Sequence, residues 1–469
     1  MVVYRTLKSN RARLIVPFSI PRFLLLSLFG VVAGAAVAGS NMPQSAPLPM
    51  DGPCVAPPSK AVLTLAQVRV DAVRCNRDII AARRNVEASQ ADIQTASQRP
   101  NPVLSLGVAN INPHAGFNSG GPRSKTVDST LRVDQVIETA NKGGLRVDTA
   151  QAASRAAGEV LQAVITQQAS VVDQAFYEAL VSQERVAVLN ETLALYGRTQ
   201  QANDARLKAG DVSRADVAKL QLDVLRAQAD LRSAMADHAS DKAALAQAIG
   251  VPGTLADNRL TPDWPALDVP VPEPDADTVQ RRADVAAAEA RLAAAASARD
   301  LARAGRVPDV TVGAQAEHYP ASAANQNGNG NSFGVFVSIP LYVRHSFGGE
   351  ARRAEVDYYA ALDDRNRVLL EAQNELERSR NQLEAARLSL KQMVEGVVPT
   401  AESVAGSAEF AYSKGASSVL ELLDARRALR QTRLDAVNAQ GDFAKSLSAY
   451  RAALQSSPNS QARPDVPRP

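Results

Sequence analysis

The chain contains 469 residues with a formal net charge of +3, and aromatic residues make up only 4% of it. This balance of charge gives no reason to expect a nucleic-acid partner, and the many alanines favour long, closely packed helices over a large globular core. The sequence has no nucleophile elbow, no phosphate-binding glycine loop and no Cys/His spacing of a metal site. We therefore expect neither an enzyme nor a bound cofactor.

The N-terminal residues have the pattern of an export signal. Five basic residues precede an apolar run at 23–39, which predicts a signal peptide over residues 1–38, with a membrane anchor as the alternative. Residues 39–61 form a Pro-rich arm that should run extended over a surface. The only two cysteines are Cys54 and Cys75, and an exported chain favours a disulfide between them over lipidation of Cys54.

The second half of the chain repeats the first at a nearly fixed offset. Residues that recur 205 positions later include Gly144/Gly349, Gly210/Gly415, Ser213/Ser418 and Asp216/Glu421. Such an offset indicates a duplicated structural unit, which reads as helix, strand, loop, strand, long helix, turn and helix. The boundaries are 62–250 for the first repeat, 251–277 for a Pro-rich linker, 278–455 for the second repeat and 456–469 for a disordered tail.

Each repeat contains one predicted pair of strands. Leu104, Leu106 and Val108 alternate with small or polar residues, and Val310 and Val312 do the same in the second repeat. Strands of about ten residues with one apolar face are typical of lipid-facing barrels, although a soluble hairpin with a buried face shares the pattern. Beyond the N-terminal run, no segment approaches the roughly 20 apolar residues of a spanning helix, so strands would have to cross a membrane.

The longest predicted helix is a rod. Residues 145–208 contain no proline, and apolar residues step by seven along them, as in a coiled coil. At 1.5 Å per residue this rod is about 95 Å long, more than a globular domain needs. The helices predicted at 64–97 and 213–250 have a similar summed length and could pack end to end beside it.

The strand count predicts an oligomer. Four strands cannot close a membrane barrel, because about eight is the smallest known number. A dimer would reach eight strands, whose interior is filled by side chains, whereas a trimer would give twelve strands and an open interior. We therefore expect a homotrimer, which also leaves no strand edge unpaired.

The motifs that flank the strands resemble those of the TolC-type outer-membrane factors. They are Arg99-Pro100-Asn101-Pro102, Arg306-Val307-Pro308-Asp309, Ile339-Pro340-Leu341-Tyr342 and, after the last turn, Glu421-Leu422-Leu423-Asp424. The resemblance covers about residues 62–455. It implies a fold that is mainly α with a small β part, in which a homotrimer forms a 12-stranded β-barrel in outer-membrane lipid, continued by a long α-helical barrel in the periplasm. It also implies docking to a periplasmic adaptor (a membrane fusion protein) and to an inner-membrane pump.

Within this family, residues 137–146 and 419–427 resemble the CzcC-type branch of heavy-metal (RND) efflux systems. That resemblance implies a passive exit duct for divalent metal cations, served by an RND pump. Export of drugs or organic solutes is the alternative within the family, and a periplasmic coiled-coil scaffold is the alternative outside it. The four histidines, His114, His238, His318 and His345, are too scattered for a metal site in one chain.

The resemblance assigns roles to the two helix turns. Each turn ends a long helix at a glycine and starts the next helix with a serine cap, and family turns of this kind form the periplasmic tip that adaptors bind. The residues carried over to that tip are Arg206, Leu207, Gly210, Ser213, Lys414, Gly415 and Ser418. Asp216 and Tyr412 match positions that hold the tip shut across neighbouring helices, while the family's basic partner falls at Ser417.

Two carboxylates follow the last turn. Glu421 and Asp424 lie three residues apart, on one face of a helix, and a trimer would place six such carboxylates where the tube narrows. A ring of this kind attracts cations and would form the pore constriction. The alternative is that Glu421 only caps its helix and that Asp424 pairs with Arg427 in solvent.

Overall fold

Two copies of one strand-and-helix plan make up the described part of the chain. The computed structural model describes Cys54 and residues 57–111, 127–210, 212–251, 253, 255–320 and 330–458, all within one compact unit. The predicted signal peptide, most of the Pro-rich arm, His114 and the end of the predicted tail lie outside the described residues.

The element order predicted for each repeat is confirmed. The first repeat consists of α1 (Leu65–Cys75), α2 (Arg77–Ser97), β2 (Val103–Ala109), β3 (Asp128–Ile137), α3 (Lys142–Ala209) and α4 (Arg214–Ile249). The second consists of α5 (Ala283–Ala304), β5 (Val310–Tyr319), β6 (Gly330–Ser338), α6 (Gly348–Gln392), α7 (Val398–Ser413) and α8 (Val419–Leu454). The short strands β1 (Val62–Leu63) and β4 (Arg259–Leu260) pair in parallel, a pairing that the sequence did not predict.

The first predicted helix is wrong in one respect, because it is two helices. Thr64 caps α1 with a capping box to Gln67, but the chain turns at Asn76 instead of continuing as the one helix predicted at 64–97. The Asn76 side chain accepts the backbone N–H groups of Asp78 and Ile79 and so caps α2. The break brings Cys75 against Gly250, where a Cβ would lie 2.4 Å from the Cys75 carbonyl oxygen. Cys75 also forms a disulfide with Cys54, with a Cα–Cα distance of 5.2 Å.

The four longer strands form one antiparallel sheet in the order β2-β3-β5-β6. Within it, β3 of the first repeat pairs with β5 of the second, from Ser129 opposite His318 to Ile137 opposite Val310. Directly opposed residues share a face of a sheet, so the register assigns every side chain to one of two faces. The outer strands β2 and β6 have no strand partner on their free sides within the described residues.

The long helices follow the strands in the chain and pack against one another. The 68-residue α3 runs without interruption and lies against α2, α4, α5 and α8. Its apolar rows are buried, among them Val172, Phe176 and Leu180, which pack against Leu245 and Ile249 of α4. A separate cluster around Tyr196, Leu220 and Leu423 lies toward the helix turns and joins the two repeats. None of the described helices is both long enough and apolar enough to cross a membrane.

The long helix of the second repeat is interrupted. A π-helical turn at Met393–Val397 separates α6 from α7, and the Val398 N–H bonds to the Met393 carbonyl. Pro399 explains the change of pitch, because it has no N–H to give to the preceding turn. The Thr400 hydroxyl donates to the Gly396 carbonyl at 2.7 Å within the same turn. Such turns accommodate one extra residue within a helix.

Candidate functional site

Both predicted helix turns are present and are built in the same way. Gly210 (φ 87°) and Gly415 (φ 73°) adopt the left-handed conformation that ends a helix and that only glycine adopts without strain. Ser213 then accepts the backbone N–H of Asp216 at 3.1 Å, and Ser418 accepts that of Glu421 at 3.3 Å. We call the two turns with their flanking residues the tip.

Tyr412 joins the two halves of the tip. Its hydroxyl donates to Asn203 Oδ1 at 2.6 Å, and the Arg206 guanidinium lies 4.8 Å from the centre of its ring. Tyr412 is at the end of α7, whereas Asn203 and Arg206 are in the last turns of α3. The contact therefore links the second repeat to the first within one chain.

Asp216 has local contacts instead. Its carboxylate accepts from the Ser213 hydroxyl at 2.7 Å and lies 3.9 Å from the Lys219 ammonium. Among the described residues it shares no hydrogen bond with Tyr412, so a joint latch of the two residues is absent within one chain. The contact of Tyr412 with Asn203 was not predicted from the sequence. Its sequence signal is a polar residue at a core position of α3, where Asn203 is 1% exposed.

Four arginines of α8 connect that helix to three others. This α8 arginine row consists of Arg426, Arg427, Arg430 and Arg433. Arg426 contacts Thr199 of α3 and Glu409 of α7, and Arg430 contacts Asp230 of α4. Arg433 bridges Glu191 of α3 and Glu402 of α7 at 3.1 Å each. The row was not predicted, because charges along one helix usually indicate a solvated face.

In the α8 arginine row, Arg427 has the most buried acidic partner. Arg427 Nη2 donates to both oxygens of Asp223 at 2.7 and 2.6 Å, and the Asp223 side chain is only 5% exposed. Burial of Arg427 acts to lower the pKa of its guanidinium, but the hydrogen bonds to Asp223 together with the negative charges of Asp223 and Asp424 outweigh burial and raise that pKa. Removing one partner of a fully buried pair typically costs about 3–5 kcal/mol, and we expect less here because Arg427 is 39% exposed and also contacts Asp424.

The two carboxylates expected at the constriction differ in their surroundings. Asp424 is paired with Arg427 at 2.8 Å, the ion pair that was the alternative reading of the sequence. Glu421 is exposed, and no cationic group of the described residues contacts its carboxylate. Arg427 is thus shared between Asp223 and Asp424, whereas Glu421 has no such cationic partner among the described residues.

The sheet at the other end of the molecule has two unlike faces. The apolar face carries Leu104, Leu106, Leu131, Val133, Val312, Phe333, Val335 and Val337. Its side chains are exposed in the single chain, up to 84% for Phe333 and 79% for Val335. The polar face carries glycines, hydroxyl residues and charged residues. This alternation is the one predicted for strands that contact lipid on one side.

Charged motif residues fix the junction between the sheet and the helices. Asp309 accepts the backbone N–H of Thr139 at 2.9 Å and the Lys142 ammonium at 2.7 Å. The Arg146 guanidinium pairs with both oxygens of Glu138 at the start of α3. The residues of the 137–146 motif therefore have a structural role at this junction. In the described parts of the chain, no group of three or more His, Cys, Asp or Glu side chains is placed to hold a metal ion.

A sheet with one exposed apolar face, continued by helices far longer than a globular core requires, defines a channel protein of the outer membrane. Residues 68–251 and 276–455 match the Outer membrane efflux protein family, and the chain belongs to that family. The resemblance to the TolC-type factors is confirmed: the chain is an outer-membrane efflux channel of tripartite pumps that extends into the periplasm, and it is not an enzyme.

Individual relatives agree with this assignment. The chain is 26% identical over 381 residues to the cobalt-zinc-cadmium resistance protein CzcC of Cupriavidus metallidurans, covering 79% of this chain and 85% of that protein. The fold is similar to the CmeC outer membrane channel of Campylobacter jejuni, with a TM-score of 0.69 and 16% identity over 85% of this chain and 88% of that one. It is also similar to the transmembrane channel CusC, with a TM-score of 0.68 and 17% identity over 86% of this chain and 95% of that one.

Proposed function

We propose that this chain is the exit duct through which a tripartite pump exports divalent metal cations. The observation that carries the metal assignment is the similarity to a cobalt-zinc-cadmium resistance protein over 79% of the chain. The exposed Glu421 carboxylate is consistent with it, because fixed negative charge in a pore favours cations.

The proposed duct is a homotrimer. The free edges of β2 and β6 support this proposal, because a lipid-exposed sheet must close on itself and three copies of four strands make twelve. Native mass spectrometry in detergent should show a trimer as the main species. A stable monomer or dimer would contradict the proposal.

The tip is proposed to bind a periplasmic adaptor, which would connect the duct to an inner-membrane RND pump. Gly210, Ser213, Lys414, Gly415 and Ser418 are all exposed, as a docking surface requires. Arg206 and Leu207 are half-buried beside them. Tyr412 and Asn203 would hold this surface in shape from within each chain, and Asp216, whose described contacts are local, would meet a neighbouring copy.

Glu421 and Asp424 are proposed to line the constriction, where Glu421 contributes more of the negative field than Asp424 does. Because Arg427 neutralises part of the Asp424 charge, three Glu421 carboxylates would supply most of the field. In planar bilayers, Glu421→Ala should therefore reduce cation selectivity and block by multivalent cations more than Asp424→Ala does. Equal effects would indicate that the Asp424–Arg427 pair opens in the assembled pore, and no effect of either would decide for local capping and pairing.

The metal assignment is tested in the native host by deleting the gene. We expect growth to fail at several-fold lower zinc, cobalt or cadmium concentrations, with tolerance of organic toxicants unchanged. The wild-type gene should restore growth, and a Glu421→Ala/Asp424→Ala gene should restore it only in part. Sensitivity confined to organic toxicants would instead favour export of drugs or organic solutes.

A further inference from the structure

Three side chains form a stack on the polar face of the sheet. Asp134 lies opposite Gly313, which in turn lies opposite Phe336, and Arg132 lies one pair further along the same face. The Arg132 Nε donates to the two Asp134 oxygens at 2.9 and 2.7 Å. The guanidinium carbon lies 4.6 Å from the centre of the Phe336 ring, within cation–π distance.

Two glycines let this stack lie flat on the sheet. A Cβ at Gly313 would be 2.2 Å from Asp134 Oδ1, so any larger residue would displace the carboxylate. A Cβ at Gly334 would lie 3.0 Å from the Phe336 ring. The carboxylate and the ring therefore occupy space that side chains normally fill.

The stack neutralises the one positive charge that the described strands carry. In the described strands β2, β3, β5 and β6, Arg132 is the single Lys or Arg side chain, and the register places Asp128, Asp134 and Glu317 on the same face. With the Arg132–Asp134 pair neutral, Asp128 and Glu317 leave that face net negative. Without Asp134, the Arg132 guanidinium would lose its partner, and the face would keep only one net negative charge per copy in place of two.

In the proposed trimer, the polar face turns toward the channel interior. Phe333 and Val335 on the opposite face are 84% and 79% exposed, and a membrane barrel places such a face against lipid. Three copies of the stack would then line one level of the interior. Charged groups at one level of a pore set its ion preference.

We propose that Asp134 is a specificity-determining residue of the channel. It holds Arg132 neutral and flat against Phe336, so that an exported cation meets no ring of positive charge in the barrel. The proposal rests on the proposed function as a cation duct, and it locates a second determinant of selectivity far from the tip.

The test measures reversal potentials of the purified full-length protein in planar bilayers under KCl and CaCl₂ gradients. Asp134→Asn, which keeps the shape of the side chain, should shift permeability from cations toward anions by several-fold. Arg132→Gln should shift it the other way, and the double variant Arg132→Gln/Asp134→Asn should return it to near the wild-type value. Native gels check that each variant still forms the oligomer.

Glycine variants provide an independent arm. Gly313→Ala should shift selectivity in the same direction as Asp134→Asn but by less, because it separates Arg132 from the Asp134 carboxylate without removing the carboxylate charge. Gly107→Ala is the matched control on the same face, since its Cβ would meet Thr130 at an ordinary 3.6 Å. A conducting wild type with unchanged selectivity in Asp134→Asn would overturn this inference alone. A wild type that forms no pore would overturn the proposed function as well.

Discussion

Each half of the tip is a helical hairpin, formed by α3 and α4 in the first repeat and by α7 and α8 in the second. The two hairpins share their backbone plan but differ in their side chains. α4 and α8 are both 36 residues long, and each begins four residues after the left-handed glycine of its turn. At the positions of Arg427 and Arg430 in α8, α4 has Leu222 and Leu225, which are 47% and 54% exposed in the single chain. The two hairpins thus keep the same caps and the same turn. The second hairpin contacts its own chain through arginines, whereas the first carries exposed leucines at the same positions.

The long helices that lead to the two turns differ as well. α3 reaches its turn as one regular helix, whereas the second repeat passes through the π-helical turn at Met393–Val397. The hairpin with the interruption is also the one whose helices are connected by the α8 arginine row. The comparison indicates that stiffness in the first hairpin comes from an unbroken backbone, and in the second from side-chain ion pairs.

The largest expected effect comes from deleting one glycine in each long helix. Deleting Gly396 removes the extra residue of the π-helical turn, so α7 should keep its packing, and its amides should exchange hydrogen more slowly. Deleting Gly197 rotates the rest of α3 by about 100° and moves Asn203 away from Tyr412. We expect that variant to lose the folded tip in hydrogen-exchange measurements. Equal tolerance of both deletions would contradict the proposed difference between the hairpins.

The buried ion pair should be the next most sensitive point. Asp223→Ala leaves Arg427 without its buried partner and should destabilise the helical part by roughly 2 kcal/mol, less than a fully buried pair costs, because Arg427 is 39% exposed and keeps its contact with Asp424. Asp424→Ala is the matched control on the same arginine; because Asp424 is 60% exposed, it should cost no more than about 1 kcal/mol. Thermal unfolding followed by circular dichroism compares the two. Similar losses would show that burial of Asp223 does not matter.

The turn glycines should behave alike in the two hairpins. Gly210→Val and Gly415→Val each force a β-branched residue into a left-handed conformation, at a cost of about 1–2 kcal/mol. Nothing lies within 4 Å of a Cβ at either position, so backbone strain is the only expected penalty. We expect weaker cross-linking to the adaptor while the oligomer persists. Unchanged cross-linking in both variants would remove the tip turns from the docking surface.

The smallest expected effect concerns His238 of α4, whose counterpart in α8 is the buried Phe443. Burial, and then the nearby Lys242 charge, lower the pKa of His238 below its ordinary 6.5, against weaker opposing effects of Asp241 and the Ala179 backbone. The folded state therefore binds this proton less readily than the unfolded state. The contribution to stability is complete above about pH 6.5 and is lost as pH falls through the folded pKa.

His238→Phe, which copies the second repeat, should make unfolding less sensitive to acidification from about pH 7.5 to 5. Ser182 loses its partner Nδ1 at 3.0 Å in that variant but still donates to the Ala179 carbonyl. Melting temperatures of the variant and the wild type across this pH range provide the measurement. An unchanged pH profile would show that His238 titrates alike in the folded and unfolded chain.

Features with a local cause could be predicted from the sequence. The alternation of Leu104, Leu106 and Val108 is read directly from neighbouring residues, and so are the serine caps and glycine ends of the two turns. The break at Asn76 was not predicted, because only part of its cause is local: Asn76 caps α2, but its side chain also donates to the Ala248 carbonyl, 172 positions away in the chain. The same reason applies to the Tyr412–Asn203 contact. The α8 arginine row looked like a solvated face because its acidic partners lie on three other helices.

The junction between β3 and β5 also bears on the origin of the chain. It joins the second strand of one repeat to the first strand of the other. In the proposed trimer, β6 of one copy meets β2 of the next, which again joins a second strand to a first strand. A chain with a single repeat would already contain both strands that such a junction needs, a first strand at one edge and a second strand at the other. Six copies of such an ancestor could close the ring that three copies of the duplicated chain close, and gene fusion would then have freed the two halves to diverge.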